Sequence, residues 1–402
     1  MDLILDIFNY TLTAILIGIC GAWIFLIKSM LESFRLTPYL DKFENTSKTN
    51  PKVSIILPAR NEEEFIEKCL DSLVKQNYEN YEIIVVDDSS EDKTGEIISE
   101  YAKKYPKIIP VSASPKPDGW MGKNWACMEG YKKATGELLL FTDADTKHAE
   151  NVITLAVTHL NSFGLDALSA IPKMLTFDFW TNITLPMIST FLHTRFSALN
   201  VNNPEKKTGY FFGSFFILKK TTYQEVGTHE GVKQEIIEDG ALGKKVKEAG
   251  YKMKMVRGEH LIEAIWARDK GTLWNALKRL MVPLYLQSGK IAIGIFFAIV
   301  FLLFIPFPIF TISSIFPIES ISAKILCIAS AIASILIYIG AIIEVKIGLK
   351  LKLAYAIFAP VGSLVVVLGF LSGLLQAKRT SAVTWRGRSY SMKDHSQSSI
   401  SV

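Results

Sequence analysis

Residues 137–146 read Glu-Leu-Leu-Leu-Phe-Thr-Asp-Ala-Asp-Thr, an apolar run that ends on two carboxylates. Leu138–Phe141 has the length and composition of a strand buried on both faces, as in parallel sheets. Working outward, Val53–Leu57 (VSIIL) is a run of the same kind. Asn61 follows it with Glu64 three residues on, a capping-box spacing, and Ile66, Leu70, Leu73 and Val74 then share one helical face. Glu82–Val86 is a further strand, ending at Asp87-Asp88-Ser89-Ser90, before a polar helix from Lys93 to Lys104 and a short strand at Ile108–Val111. This alternation predicts an α/β fold with a doubly wound, mostly parallel sheet. Ligands of such sheets bind beyond the carboxyl ends of the strands, which is where the acidic clusters fall. Further on, Tyr210–Leu218 and Lys252–Val256 read as strands, and Gly240–Ala249 as a helix with Asp239 at its start and Gly250 as its stop.

A chain of 402 residues exceeds one compact core. Four stretches hold no Asp, Glu, Lys or Arg: Ile7–Ile27, Ile291–Ile318, Ile325–Ile343 and Leu353–Ala377. Each reaches the roughly 18–20 apolar residues that cross a bilayer as a helix. Asp2 and Asp6 precede the first stretch, so it lacks the basic start of a cleaved signal and reads as a retained anchor. Basic residues flank the apolar ends (Lys28, Arg35, Lys378, Arg379, Arg386 and Arg388), which places the soluble middle in the cytoplasm of a cell-membrane protein. The net charge of +5 does not suggest nucleic acid, and four scattered cysteines make neither a disulfide framework nor a zinc site. The expected organisation is a membrane helix over 1–28, a linker over 29–50, a catalytic domain over 51–272, an amphipathic interface helix over 273–289, membrane helices over 290–377 and a basic tail over 378–402. In the interface helix Trp274, Leu277, Leu280 and Met281 oppose Lys278 and Arg279, although a domain-surface helix has the same pattern.

Four constellations carry chemistry. Asp143 and Asp145, one residue apart at a strand end, are hard oxygen donors suited to Mg2+ or Mn2+ on a diphosphate, although strand-end Asp residues also simply make turns. Asp87 and Asp88 can accept from a nucleobase N–H or start a helix. Lys123, in the glycine-flanked GWMGKNWA of residues 119–126, can approach phosphate or remain a solvated lysine; the nucleoside-triphosphatase loop spacing is absent. Glu238-Asp239 offers either a helix cap or the carboxylate that deprotonates an attacking hydroxyl.

These elements occur in one order along one α/β segment, and there the chain resembles the family 2 glycosyltransferases over about Lys52 to Arg257. GWMGKNWA, ELLLFTDADT, EIIEDGALGKKVKEAGY and the Trp385-Arg386-Gly387-Arg388 tail are similar to the membrane branch holding carotenoid-type, hopanoid-associated and ceramide glycosyltransferases. The resemblance implies a glycosyltransferase-A fold and an inverting, metal-dependent transfer from a nucleotide sugar, with UDP favoured, to a lipid. It places Pro58, Ala59, Arg60, Glu62, Asp87, Asp88, Lys123 and Asp143 at the nucleotide sugar. Asp143 and Asp145 would hold the metal, and Asp239 would act as base. Gly213, Ser214 and Glu238 would lie near the acceptor, with Trp385, Arg386 and Arg388 at the leaving group or on anionic head groups.

Three competing readings differ in what they require. A processive polysaccharide synthase carries Gln-x-x-Arg-Trp after the Glu-Asp helix; Leu273–Arg279 lacks it, which favours single transfer. A transporter would place ionisable residues inside its spans, and the four stretches hold none. A non-catalytic nucleotide-sugar-binding membrane protein would have no need of both acidic pairs. If all later spans cross, the basic tail ends outside; Pro306-Phe307-Pro308 in the longest stretch suggests a re-entrant turn that keeps it inside.

Overall fold

The computed structural model describes residues 2–42, 50–194, 196–315, 320–380, 382–385 and 388–391. The chain divides into two compact units. One, an α/β unit, contains Thr37–Leu175 and Ala198–Trp266; the other, a helical unit, contains the N-terminal 36 residues, Thr176–Ser197 and the chain from Ala267 to Val383.

Among the described residues the main sheet of the α/β unit has seven strands: β1 (Val53–Ala59), β2 (Tyr81–Asp87), β3 (Ile108–Ser112), β4 (Leu138–Phe141), β5 (Ala167–Ile171), β6 (Phe216–Lys219) and β7 (Met253–Arg257). Their spatial order is β3-β2-β1-β4-β6-β5-β7. All neighbours are parallel except β6, which runs antiparallel to both β4 and β5. The apolar runs alternate between two cores, as a period of two requires. Ile55, Leu57, Ile83, Val85 and Leu140 join Ile66, Leu70 and Leu73 on one face, while Ile56, Ile84, Val86, Leu139 and Phe141 meet Ala126 and Cys127 on the other. The second face admits the helix Gly122–Lys133 closely because of Gly130, where a Cβ would stand 2.7 Å from Ile56 Cγ2.

Local chemistry departs from the sequence reading at several points. The helix after β1 starts at Ile66 with no side-chain cap, and Asn61 lies at φ 52° instead of acting in a capping box. Its Oδ1 accepts from the Glu91 N–H at 2.9 Å, so this side chain joins two loops. Within residues 210–218 only Phe216 onward is a strand. The Glu238-Asp239 pair lies inside the first turn of the helix Glu238–Glu248, whose N-cap is Ile237; Asp239 is therefore not the cap.

In the helical unit the first helix runs from Asp2 through Leu36, into the stretch read as linker, because nothing breaks it before Pro38. Among the described residues three helices are long and apolar enough to cross a membrane: Leu3–Leu36, Ile321–Gly348 and Leu353–Lys378. The pair Gly289–Leu303 and Pro306–Ile315 is bent by 45° at the proline break. Phe179–Ser189, expected inside the catalytic domain, belongs to this unit, as does the helix Lys270–Gln287. Lys270–Gln287 starts with a reciprocal Asp269/Thr272 capping box.

The stretch Ile325–Ile343 holds no ionisable residue, but the helix Ile321–Gly348 that contains it continues past its end and takes in Glu344. Glu344 is only 1% exposed, with His193 Nε2 at 2.9 Å and the Ser189 hydroxyl donating at 3.0 Å. A short pair of strands, Ala382–Trp385 and Arg388–Ser391, follows the last helix.

Candidate active site

Register puts the acidic strand ends side by side. Ala59 is level with Asp87 across β1 and β2, and Ile56 with Phe141 across β1 and β4. Asp88 and Asp143 thus leave the sheet at the same edge, two strand spacings or about 10 Å apart.

The loops after β1 and β2 are tied together. Arg60 donates to the Asp88 carbonyl at 2.7 Å, to the Ser89 carbonyl and to Glu91 at 3.0 Å. The Glu62 N–H donates to Thr94 Oγ1 at 2.7 Å. Asn61 and Ser89 both sit at positive φ, strain that recurs where loops must present groups to a ligand. Pro58 and Ala59 end β1, Ala59 and the Glu62 side chain being buried. Asp87 accepts from the Ser90 N–H at 3.0 Å, which makes it the turn former of the pair.

Lys123 leaves the first turn of its helix, which is pinned by Asn124 donating to the carbonyls of Val232 and Glu235 at 2.8 and 3.0 Å. A cation at a helix N-terminus opposes the macrodipole, so Lys123 needs carboxylates. It has two: Asp143 Oδ1 at 2.7 Å and Glu238 Oε1 at 2.6 Å. Gly213 supplies the space between them. A Cβ there would lie 2.9 Å from Asp239 Oδ2, 3.1 Å from Lys123 Nζ and 3.3 Å from Asp143 Oδ2. Three segments distant in sequence therefore converge over the bare backbone of a fourth. Ser214 is held next to it, its carbonyl accepting from Thr142 Oγ1 at 2.7 Å.

The electrostatics follow from this crowding. Burial first, then Glu238, push the Asp239 carboxyl up to about 7, with Lys123 and the Gly240 N–H pulling the other way. Burial alone would lower Lys123, but Asp143, Glu238 and Asp239 outweigh it and hold the ammonium well above its ordinary value. Burial, followed by Asp145 and Asp143, raises the Cys69 thiol, so both carboxylates lie near that residue and the thiol stays neutral.

Among the described residues no three His, Cys, Asp or Glu side chains are gathered to hold an ion by themselves. Magnesium-like ions are commonly held by one or two carboxylates plus substrate phosphates. Asp143 Oδ2, facing the space over Gly213, and Asp145 two residues on fit that mode, with a diphosphate completing the ligand set.

The structure thus brings together Lys123, Asp143, Glu238, Asp239 and Gly213, and sets Arg60, Glu62 and Asp88 in the neighbouring strand-end loops. Trp385 and Arg388 lie in the terminal pair of strands, and Arg386 falls outside the described residues. The sequence reading passed over Thr142, His148 and Tyr210. His148 is kept neutral by burial, down to about 4, and its Nε2 lies 3.1 Å from Thr142 Oγ1. Tyr210, raised first by burial and then by Asp239 and Glu238, is a neutral phenol beside the acidic pair. The position of Thr142 just before Asp143 was the available signal for it; Tyr210 was hidden by its assignment to a strand.

Comparison with known proteins agrees with this architecture. Residues 54–227 match the model of glycosyl transferase family 2. A 4,4'-diaponeurosporenoate glycosyltransferase of Staphylococcus haemolyticus is 30% identical over 214 residues, 51% of this chain and 55% of that protein. A protein of the same name from Staphylococcus aureus is 27% identical over 229 residues, 56% of each. The chain thus spans about half the length of these curated relatives. The mannosyltransferase PcManGT from Pyrobaculum calidifontis, solved with GDP-Man and Mn2+, matches 92% of this chain and 100% of its own at a TM-score of 0.55 and 17% identity, a likeness of fold. Residues 54–227 are thus similar to glycosyl transferase family 2, and the fold is of the glycosyltransferase-A kind.

Proposed function

We propose that this protein moves one sugar from a nucleotide sugar, a UDP-sugar by preference, to a hydroxyl of a membrane lipid, inverting the anomeric centre, with its α/β unit on the cytoplasmic side of the membrane. The observation that carries this reading is the convergence of Lys123, Asp143, Glu238 and Asp239 over Gly213. A sugar transfer needs charge stabilised on a departing diphosphate and a proton taken from the attacking hydroxyl. Lys123 is the cation for the first task, and Asp143 with Asp145 would hold a Mg2+ or Mn2+ ion. That ion would supply further positive charge to the diphosphate. Asp239 is the base, and a carboxyl raised to about 7 accepts a proton more readily than an ordinary one. Attack from the face opposite the leaving group makes one displacement and therefore inversion. Glu238 keeps Lys123 from collapsing wholly onto Asp143. Arg60 and Glu62 shape the loops in which Asp88 would accept from the base.

The apolar helices and the named relatives motivate the lipid acceptor. Single transfer is favoured because Leu273–Arg279 lacks the processive element. Purified protein incubated with a panel of nucleotide sugars and total host lipid tests the proposal by mass spectrometry. One lipid class should gain one hexose mass, with one donor and a divalent ion. Donor binding without any glycosylated lipid would leave a non-catalytic binder in its place, and a ladder of added hexoses would reject single transfer.

A further inference from the structure

The helical unit has a groove of about 800 Å³ between the first helix and the helix Ile321–Gly348. That volume lies in the range of about 300–1,000 Å³ found for small-molecule sites. Its walls are apolar, with Ile24 and Leu31 from one helix and Leu336, Ile339 and Ile347 from the other. Its polar groups are Lys28, Glu32 and Arg35, which follow one another on one helical face at spacings of four and three.

Depth assigns these charges a place. The 34 residues from Leu3 to Leu36 extend about 51 Å, against a hydrocarbon core of about 30 Å. A crossing that begins after Asp6 takes up the uncharged stretch Ile7–Ile27, about 31 Å, so Lys28 and Arg35 stand at head-group level while Ile24 lies inside the core. The Lys28–Glu32 pair is long, 4.0 Å, with both side chains exposed, so it does little to neutralise the lysine. Arg35 adds a planar fork suited to a phosphate. Two cations and one anion at one end, above an apolar trough, complement a molecule with a negative phosphate head and hydrocarbon tails.

We propose that this groove binds one anionic phospholipid, its phosphate on Lys28 and Arg35 and one acyl chain between Ile24, Leu336 and Ile339. The proposal rests on the membrane reading of the helices and goes beyond the sugar-transfer chemistry of the α/β unit. Basic sites between membrane helices hold anionic head groups for the same electrostatic reason.

Native mass spectrometry of the full-length protein in detergent, titrated in turn with a phosphatidylglycerol and a phosphatidylcholine of equal chain length, tests it. The wild type should retain one phosphatidylglycerol with about a five- to tenfold preference. A Lys28→Gln/Arg35→Gln double variant should lose that preference. Ile339→Trp, which fills the trough without touching the charges, should lose the bound lipid. Equal retention of the two lipids by the wild type, or a preference unchanged in the double variant, would overturn the site. Release of the protein from membranes by alkaline carbonate without detergent would instead overturn the membrane reading beneath it.

Discussion

Lys123 occupies an unfavourable place, at the positive end of a helix and largely out of water, held there by Asp143 and Glu238. Removing its charge has a directional consequence. Lys123 is one of the groups that restrain the rise of Asp239, so Lys123→Met should drive Asp239 further up. Because the proposed base works only when deprotonated, turnover of the wild type should fall as pH drops through about 7. In Lys123→Met that acid limb should move to higher pH, on top of a lower plateau. Transfer rates between pH 5 and 9 check this, and an acid limb at the same pH in both proteins would break the link between the two residues. At this scale the sequence named the acidic residues and the lysine because strand ends and a glycine-flanked loop mark them locally. It could not rank Glu238 above Asp88 as the partner of Lys123, since a 2.6 Å contact between residues 123 and 238 is a product of tertiary packing.

Elements show the same division. The parallel strands were legible as apolar, β-branched runs because both sheet faces are covered. Residues 210–215 looked equally apolar, yet they form the turn that brings Gly213 over the acids, and periodicity does not separate a buried turn from a buried strand. The buried Glu344 was missed because it lies one residue beyond an uninterrupted apolar stretch. With His193 and Ser189 as partners, it fastens the end of the helix Ile321–Gly348 to Thr176–Ser197. Glu344→Ala leaves both polar partners buried without it and should cost about 1–3 kcal/mol of stability. Unfolding of the detergent-solubilised protein reads this against Lys346→Ala on the exposed side, which should change it by no more than about 0.5 kcal/mol. Equal effects of the two changes would remove the anchoring role.

For the whole molecule, composition alone separated an apolar part from an α/β part, yet it did not show that Thr176–Ser197 packs with the helices. That assignment depends on contacts such as His193 with Glu344 and has no marker in hydropathy. The 45° break at Pro306 leaves the path of the bent pair as the question on which topology turns. We propose that it is re-entrant, so that the chain end stays on the side of the α/β unit. A single cysteine introduced as Ser396→Cys should then react with a membrane-impermeant thiol reagent only after cells are opened; labelling in intact cells would make the pair a true span.

The proposed chemistry rests on Asp239 as the proton acceptor in a cleft shared with Lys123 and Asp143. The most direct measurement is of donor affinity and of transfer rate on the same preparation of Asp239→Asn. Loss of the base alone should leave affinity for the nucleotide sugar within a few-fold of wild type and lower the transfer rate by about 10²–10⁴-fold. Near-normal transfer by that variant would mean that the carboxylate over Gly213 is not the base.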